Sequence, residues 1–343
     1  MILFIKNIFS FCIVYIVIIG FLLTSYNLYL DPYGVFSKNM NKQVTEPNQN
    51  LIKTRYILKN IEKHNAFLFG NSRVGKINVQ NLSGNYNFYN MTYSEGVPLE
   101  HLNNIKLFLK SGVEIDRVIV CLDEISCFID PESHLDQPLR KAYINKYNPL
   151  LSYLYLKPSI GIIKRNLTVN KDKFYTEGFY NGIYENGSRG FMPNKKDVYI
   201  NQNIKSHIND SIFESAYWTD NNSSKNVAKS IEAIKSIISI CNYNNISLTF
   251  FINPINIKTY KKACENGFLD FLEKLHLITD FYDFSGLNEI TTNNFNYYET
   301  SHYRPLVGEI IVNELNQKDS QYFISNNESS SYKQSKQSEF FSN

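Results

Sequence analysis

Three side chains in this sequence have the types and the spacing for acyl transfer: Ser72, Glu299 and His302. Ser72 lies in Phe69-Gly70-Asn71-Ser72-Arg73, directly after the apolar run Ala66-Phe67-Leu68-Phe69. A Gly-x-Ser turn leaving a strand lifts a hydroxyl clear of the sheet and sets its backbone N–H at the start of a helix. Glu299-Thr300-Ser301-His302-Tyr303 places a carboxylate three residues before an imidazole. At that spacing the acid can reach one ring nitrogen while the other faces outward, so the two segments together hold a nucleophile, a base and an orienting acid. Either segment alone is ambiguous. Glycine and serine also serve turns and caps, and a lone histidine is commonly a satisfied surface group.

Other chemistries find less in the chain. The remaining histidines, His64, His101, His134, His207 and His276, show no His-x-x-x-His or carboxylate-linked pattern, so no metal site is expected. The cysteines, Cys12, Cys121, Cys127, Cys241 and Cys264, form no Cys-x-x-Cys and read as small apolar residues; a bridge between 121 and 127 or between 241 and 264 is left open. Gly70-x-x-x-x-Gly75-Lys76 has the spacing of a phosphate-binding loop, but Ile77 stands where the magnesium-ligating hydroxyl belongs. No cofactor is expected. A net charge of +3 over 343 residues, with basic residues only in short interrupted runs, gives no case for a nucleic-acid partner.

The elements that must position these groups can be read from apolar patterning. Residues 8–23 are uncharged and rich in Ile, Val, Phe and Leu, and the apolar character fades through residue 30. That length suits one bilayer-spanning helix. Lys6 before it and Asp31 after it favour an N-terminus in the cytoplasm. No alanine precedes Ala66, so a small-x-small cleavage site is lacking, and residues 1–30 are expected to stay as a signal anchor in the lipid bilayer. The polypeptide from about residue 31 would then lie outside the cytoplasmic (inner) membrane, periplasmic or extracellular. Residues 31–50 read as a linker.

Short apolar runs at 66–69, 87–89, 118–122, 247–252 and 281–284 alternate with helical patterns at 51–61, 99–109, 227–241, 260–277 and 305–315. The alternation predicts an α/β fold over 51–317, with a doubly wound parallel sheet covered on both faces. Ligands collect at the carboxyl ends of such strands, where Ser72 would sit. The pattern breaks at about 124–220, an insertion rich in tyrosine and phenylalanine. Tyr143, Tyr147, Tyr153, Tyr155, Phe174, Tyr175, Phe179, Tyr180, Tyr184 and Phe191 could line a groove for sugar rings or form a satellite core. Residues 318–343 are polar and are expected to be disordered.

The order of these parts resembles the SGNH/GDSL hydrolase superfamily, in which a serine follows the first strand and the last block is Asp-x-x-His. Within it the chain is most similar to membrane-anchored cell-envelope members, the alginate O-acetylation proteins and the teichoic-acid D-alanyl transfer protein. The resemblance rests on Asp31-Pro32-Tyr33-Gly34 after the anchor, Gly70-Asn71-Ser72-Arg73, and Ser301-His302-Tyr303-Arg304-Pro305 with Gly308. It implies a flavodoxin-like three-layer fold and a Ser72–His302–Glu299 triad, with Glu299 where the family has Asp and Asp283 as the alternative acid. It implies Gly96 as one oxyanion donor. The family's third-block asparagine is missing from Cys121-Leu122-Asp123-Glu124, leaving Asn71 or Asn90 to replace it. The activity implied is serine-dependent O-acyl transfer or ester hydrolysis on a cell-envelope or exported glycan. A multi-pass membrane O-acyltransferase is the implied partner. The alternative is a catalytically inactive glycan-binding or scaffold protein of the same fold.

Overall fold

The computed structural model describes residues 2–36, 45–142, 149–168, 183, 185–188, 194–218, 224–317, 319–327 and 332–341. Its first element, α1 (Ile2–Leu30), contains one helix of 27 residues, Phe4–Leu30, that is long and apolar enough to cross a membrane. The chain continues through α2 (Gln49–Lys59), β1 (Ala66–Phe69), a 3₁₀ turn (Ser72–Lys76), β2 (Phe88–Asn90), α3 (Pro98–Lys110), β3 (Arg117–Leu122) and α4 (Glu124–Phe128). The described parts of the insertion contribute α5 (Pro149–Leu154), α6 (Ile160–Thr168), α7 (Lys195–Gln202) and α8 (Ile204–Ile208). After it come α9 (Val227–Tyr243), β4 (Ser247–Ile252), α10 (Ile257–Glu265), α11 (Phe268–His276), β5 (Phe281–Asp283), α12 (Pro305–Asn316), β6 (Phe323–Ile324) and α13 (Tyr332–Phe341).

The strands form one sheet in the order β2-β1-β3-β4-β5-β6. The first five are parallel, with Leu68 opposite Ile119 and Val120 opposite Phe250. The continuous apolar runs are explained by burial on both faces. Phe67, Phe69, Val118, Val120, Leu122, Phe250 and Ile252 join a core with residues of α3, α9 and α11, whereas their neighbours Ala66, Leu68, Ile119, Cys121 and Phe251 join a second core with α12. Alternate side chains along each strand thus fill opposite layers. The protein is an α/β structure with a mixed, mostly parallel six-stranded sheet.

Four expectations need correction. The sheet is not wholly parallel, because β6 pairs antiparallel with β5. β6 and α13 lie in the tail expected to be disordered. Tyr332 of α13 packs on His276 and Phe281, and Lys336 pairs with Asp283 at 2.8 Å, contacts a composition reading does not reveal. The single helix expected over 260–277 is two, separated at Gly267, whose φ of +98° an L side chain rarely adopts. The linker at 31–50 is largely structured in its described parts. Asp31 accepts from the N–H groups of Val35 and Phe36, Asn48 caps α2 by accepting from Leu51 N–H, and Asn48, Gln49 and Asn50 are buried. Of the insertion's aromatics, Tyr153 packs with Tyr33 and donates to the Pro138 carbonyl inside a small core, and Tyr155 is exposed; the others named above lie outside the described residues.

Candidate active site

The end of β1 delivers Ser72. Asn71 accepts from the Arg73 N–H and so caps the 3₁₀ turn on which the serine is the first residue. The second segment is a tight loop between β5 and α12. An antiparallel bridge joins Tyr297 to Tyr303, and Tyr298 N–H donates to the His302 carbonyl at 2.9 Å. Inside this loop the Glu299 carboxylate accepts from the backbone N–H groups of Ser301 (2.5 Å) and His302 (3.0 Å), which fixes its position before any contact with the imidazole.

The two loops meet across 230 residues of sequence. His302 Nε2 lies 2.8 Å from Ser72 Oγ, and His302 Nδ1 lies 2.6 Å from Glu299 Oε1. Burial works against an ionised Glu299, but the His302 hydrogen bond, the imidazole's charge and the Ser301 N–H outweigh it and hold the carboxyl below its usual range. An ionised Glu299 accepts the Nδ1 proton, so Nε2 presents its lone pair to the serine hydroxyl. This is the tautomer a general base needs. The groups open into a cleft of about 460 Å³ that Lys76, Lys196, Tyr217 and Tyr298 also line. The ammonium groups of Lys76 and Lys196 lie 5.1 and 5.0 Å from the centre of the Tyr298 ring.

Asp283 is not at this site. Its carboxylate accepts from Ser285 and Tyr332 and pairs with Lys336, so the alternative acid serves the docking of α13. Asn71 and Asn90 are also committed. The Asn71 amide donates to Asp123 at 2.6 Å, and the Asn90 amide donates to the Val74 carbonyl at 2.8 Å while its oxygen accepts from Thr92 N–H. Each amide thus gives one of its two N–H donors to a structural acceptor, and neither residue lines the cleft. Gly96 sits where a Cβ would come within 2.7 Å of the Gly70 carbonyl, so the 94–96 turn closes against the serine turn only because that residue lacks a side chain. Among the described residues, the N–H groups of Ser72 and Gly96 donate to no acceptor.

Residue type and spacing assign Arg73, Asp123 and Glu124 no role in the sequence. Arg73 is fully buried and donates to Asp123 (2.7 Å), to both oxygens of Glu124 (2.9 and 2.5 Å), and through Nε to the Ser301 carbonyl (2.7 Å). One guanidinium therefore ties the serine turn, the end of β3 and the histidine loop together. Asn253, just past β4, donates to the same Asp123 oxygen at 2.8 Å. Burial opposes charge on Asp123, yet Arg73 and the two asparagine amides keep it below the usual carboxylate range. Glu124 is pushed upward by burial and by Asp123 beside it, despite Arg73. The only advance signal was the pair of acids at the end of an apolar strand.

A second buried cluster backs the Gly96 turn. Glu95, at φ +55°, pairs with Arg140 at 2.8 Å, and His134 sits between Glu100 (3.0 Å) and Glu95 (3.6 Å). Burial disfavours the His134 cation, but the hydrogen bond to Glu100 and the Glu95 carboxylate beside it reverse that and raise its pKa to about 9. The insertion is fastened to the histidine loop through Asp197 of α7. It accepts from Arg304 (2.8 Å) and from the Tyr298 hydroxyl (2.6 Å). Compared with models of known protein families and with curated proteins, the chain matches none.

Proposed function

We propose that this protein is a serine-dependent O-acyltransferase or esterase of the SGNH type, anchored by α1 with its catalytic domain outside the cytoplasmic membrane. The observation that carries the reading is the continuous chain Ser72 Oγ–His302 Nε2 (2.8 Å) and His302 Nδ1–Glu299 (2.6 Å) at the rim of a cleft. The order 2-1-3-4-5 of the parallel strands is that of flavodoxin-like doubly wound sheets, and the serine leaves the carboxyl end of β1, where such sheets place ligands.

In this mechanism His302 Nε2 takes the Ser72 hydroxyl proton as Oγ bonds to an ester or thioester carbonyl carbon. The oxyanion is held by the N–H groups of Ser72 and Gly96. Collapse breaks the bond to the leaving alcohol or thiol, which receives the proton from Nε2. Water or a sugar hydroxyl then attacks the acyl-serine with the same histidine as base. The resemblance favours a sugar of an envelope or exported polysaccharide as acceptor, supplied with acyl groups by a multi-pass membrane O-acyltransferase.

A fluorophosphonate probe tests the enzyme class. Covalent labelling of the full-length protein that disappears in Ser72→Ala is the expected result; absence of labelling in folded protein refutes a competent nucleophile. That second outcome selects the alternative, a non-catalytic glycan-binding or scaffold protein, which the commitment of Asn71 and Asn90 to structural hydrogen bonds favours.

A further inference from the structure

The outer end of α1 is packed into the domain, and beside it lies a helix with an exposed apolar side. Every residue of α1 from Phe4 to Ile18 is exposed; sustained covering begins only near Leu23 and Thr24. Asn27, 2 % exposed, donates to the carbonyls of Leu154 and Leu156 at 2.9 and 3.0 Å, and Tyr26, Asn27 and Ile162 line one small cleft. At 1.5 Å per residue the 27-residue span is about 40 Å long, against a hydrocarbon core of about 30 Å. The last two turns therefore rise out of the apolar zone, which is where the domain grips the helix.

That grip sets α6 at the level of the membrane surface. α6 buries none of its residues, and Ile162 and Asn166 are its only half-covered positions. Ile160, Ile163 and Leu167, at i, i+3 and i+7, form an exposed apolar stripe, with Ile160 and Leu167 each 83 % exposed. Lys164 flanks the stripe, Lys157 precedes it, and all are exposed. Ammonium groups bordering an apolar stripe suit a phospholipid surface, the stems lying along acyl chains and the charges reaching phosphates. Arg165 faces away from the stripe.

We propose that α6 lies flat in the headgroup region of the bilayer that α1 enters, with Ile160, Ile163 and Leu167 inserted, giving the domain a second membrane contact and a fixed tilt. The occupant of the stripe is lipid. This reading does not depend on the catalytic one.

Trp218 is the sole native tryptophan, so the full-length chain carrying Trp218→Phe accepts a single new reporter. Ile160→Trp, Leu167→Trp and, as control, Arg165→Trp would each be reconstituted in phosphatidylcholine–phosphatidylglycerol vesicles with plain or brominated acyl chains. The expected result is emission at least about twofold lower in brominated lipid for positions 160 and 167, with little change at 165. Equal emission in both lipids at 160 and 167 overturns the proposal. Emission indifferent to bromine but shifting with the protein-to-lipid ratio assigns the stripe to a second copy of the chain and also overturns it. All three positions are exposed, and two independent stripe positions guard against one reporter disturbing the helix.

Discussion

Replacing Arg73 by Met tests whether one buried guanidinium organises the site. The native side chain is fully buried between Asp123 and Glu124, which are 0 % and 1 % exposed, with contacts of 2.5–2.9 Å. Methionine fills similar volume but leaves two carboxylates in the interior without their cation. Removing one partner of a buried ion pair costs about 3–5 kcal/mol at neutral pH, which for a domain of this size corresponds to a midpoint roughly 10 °C lower. The pH dependence distinguishes this cause from a packing defect. In the native protein Asp123 is held below its unfolded range, so its contribution is present at neutral pH and lost as pH falls through the folded value. In Arg73→Met both carboxyls rise, from burial first and mutual repulsion second, so acid protonates them and relieves the variant. The stability gap between the two proteins must therefore narrow from pH 7 towards pH 4.

The assay is denaturant unfolding in detergent followed by Trp218 emission across that range. A gap below about 1 kcal/mol at pH 7, or one that widens on acidification, refutes the reasoning. Arg73→Lys separates charge from geometry. An ammonium restores a cation but cannot serve Asp123, Glu124 and the Ser301 carbonyl together. Most of the stability should return, while fluorophosphonate labelling of Ser72 stays slow because the His302 loop has lost its tie.

Glu299→Gln should lower turnover by up to about 10⁴ by removing the acceptor that sets the His302 tautomer, whereas Asp283→Asn should leave the rate within about threefold; steady-state kinetics on an aryl ester decide between them. Gly96→Ala, whose Cβ would meet the Gly70 carbonyl at 2.7 Å, should cost about 1–3 kcal/mol in unfolding experiments and slow acylation by displacing the oxyanion turn. A chain ending at residue 317 loses the Tyr332 contacts and leaves Asp283 without Lys336, so it should lose roughly 2–4 kcal/mol of stability while keeping Ser72 labelling, since among the described residues no contact of Ser72, His302 or Glu299 involves the tail.

What was legible in the sequence was whatever has a local cause. Continuous apolar runs mark two-faced burial, so the run 247–252 is β4 as expected and the other four parallel strands shift by a residue at most at either end. Glu299 and His302 were legible together because three residues of a tight loop are enough to join them, without help from the remaining fold. The contact between Ser72 and His302 was an inference from strand order, since both loops must leave the same edge of a parallel sheet. Arg73 was illegible for the opposite reason. Its partners come from the ends of β3 and of the His302 loop, and no spacing in the chain announces that a charge will be buried among them. The same distance in sequence hid the fates of Asn71, Asn90 and Asp283: residue type offered each of them to catalysis, and only their neighbours reveal that structural hydrogen bonds and an ion pair had already taken them. Physical chemistry then gives the acids of Asp123-Glu124 a use, because an arginine that ties the Ser72 turn to the His302 loop can be buried only where carboxylates meet it.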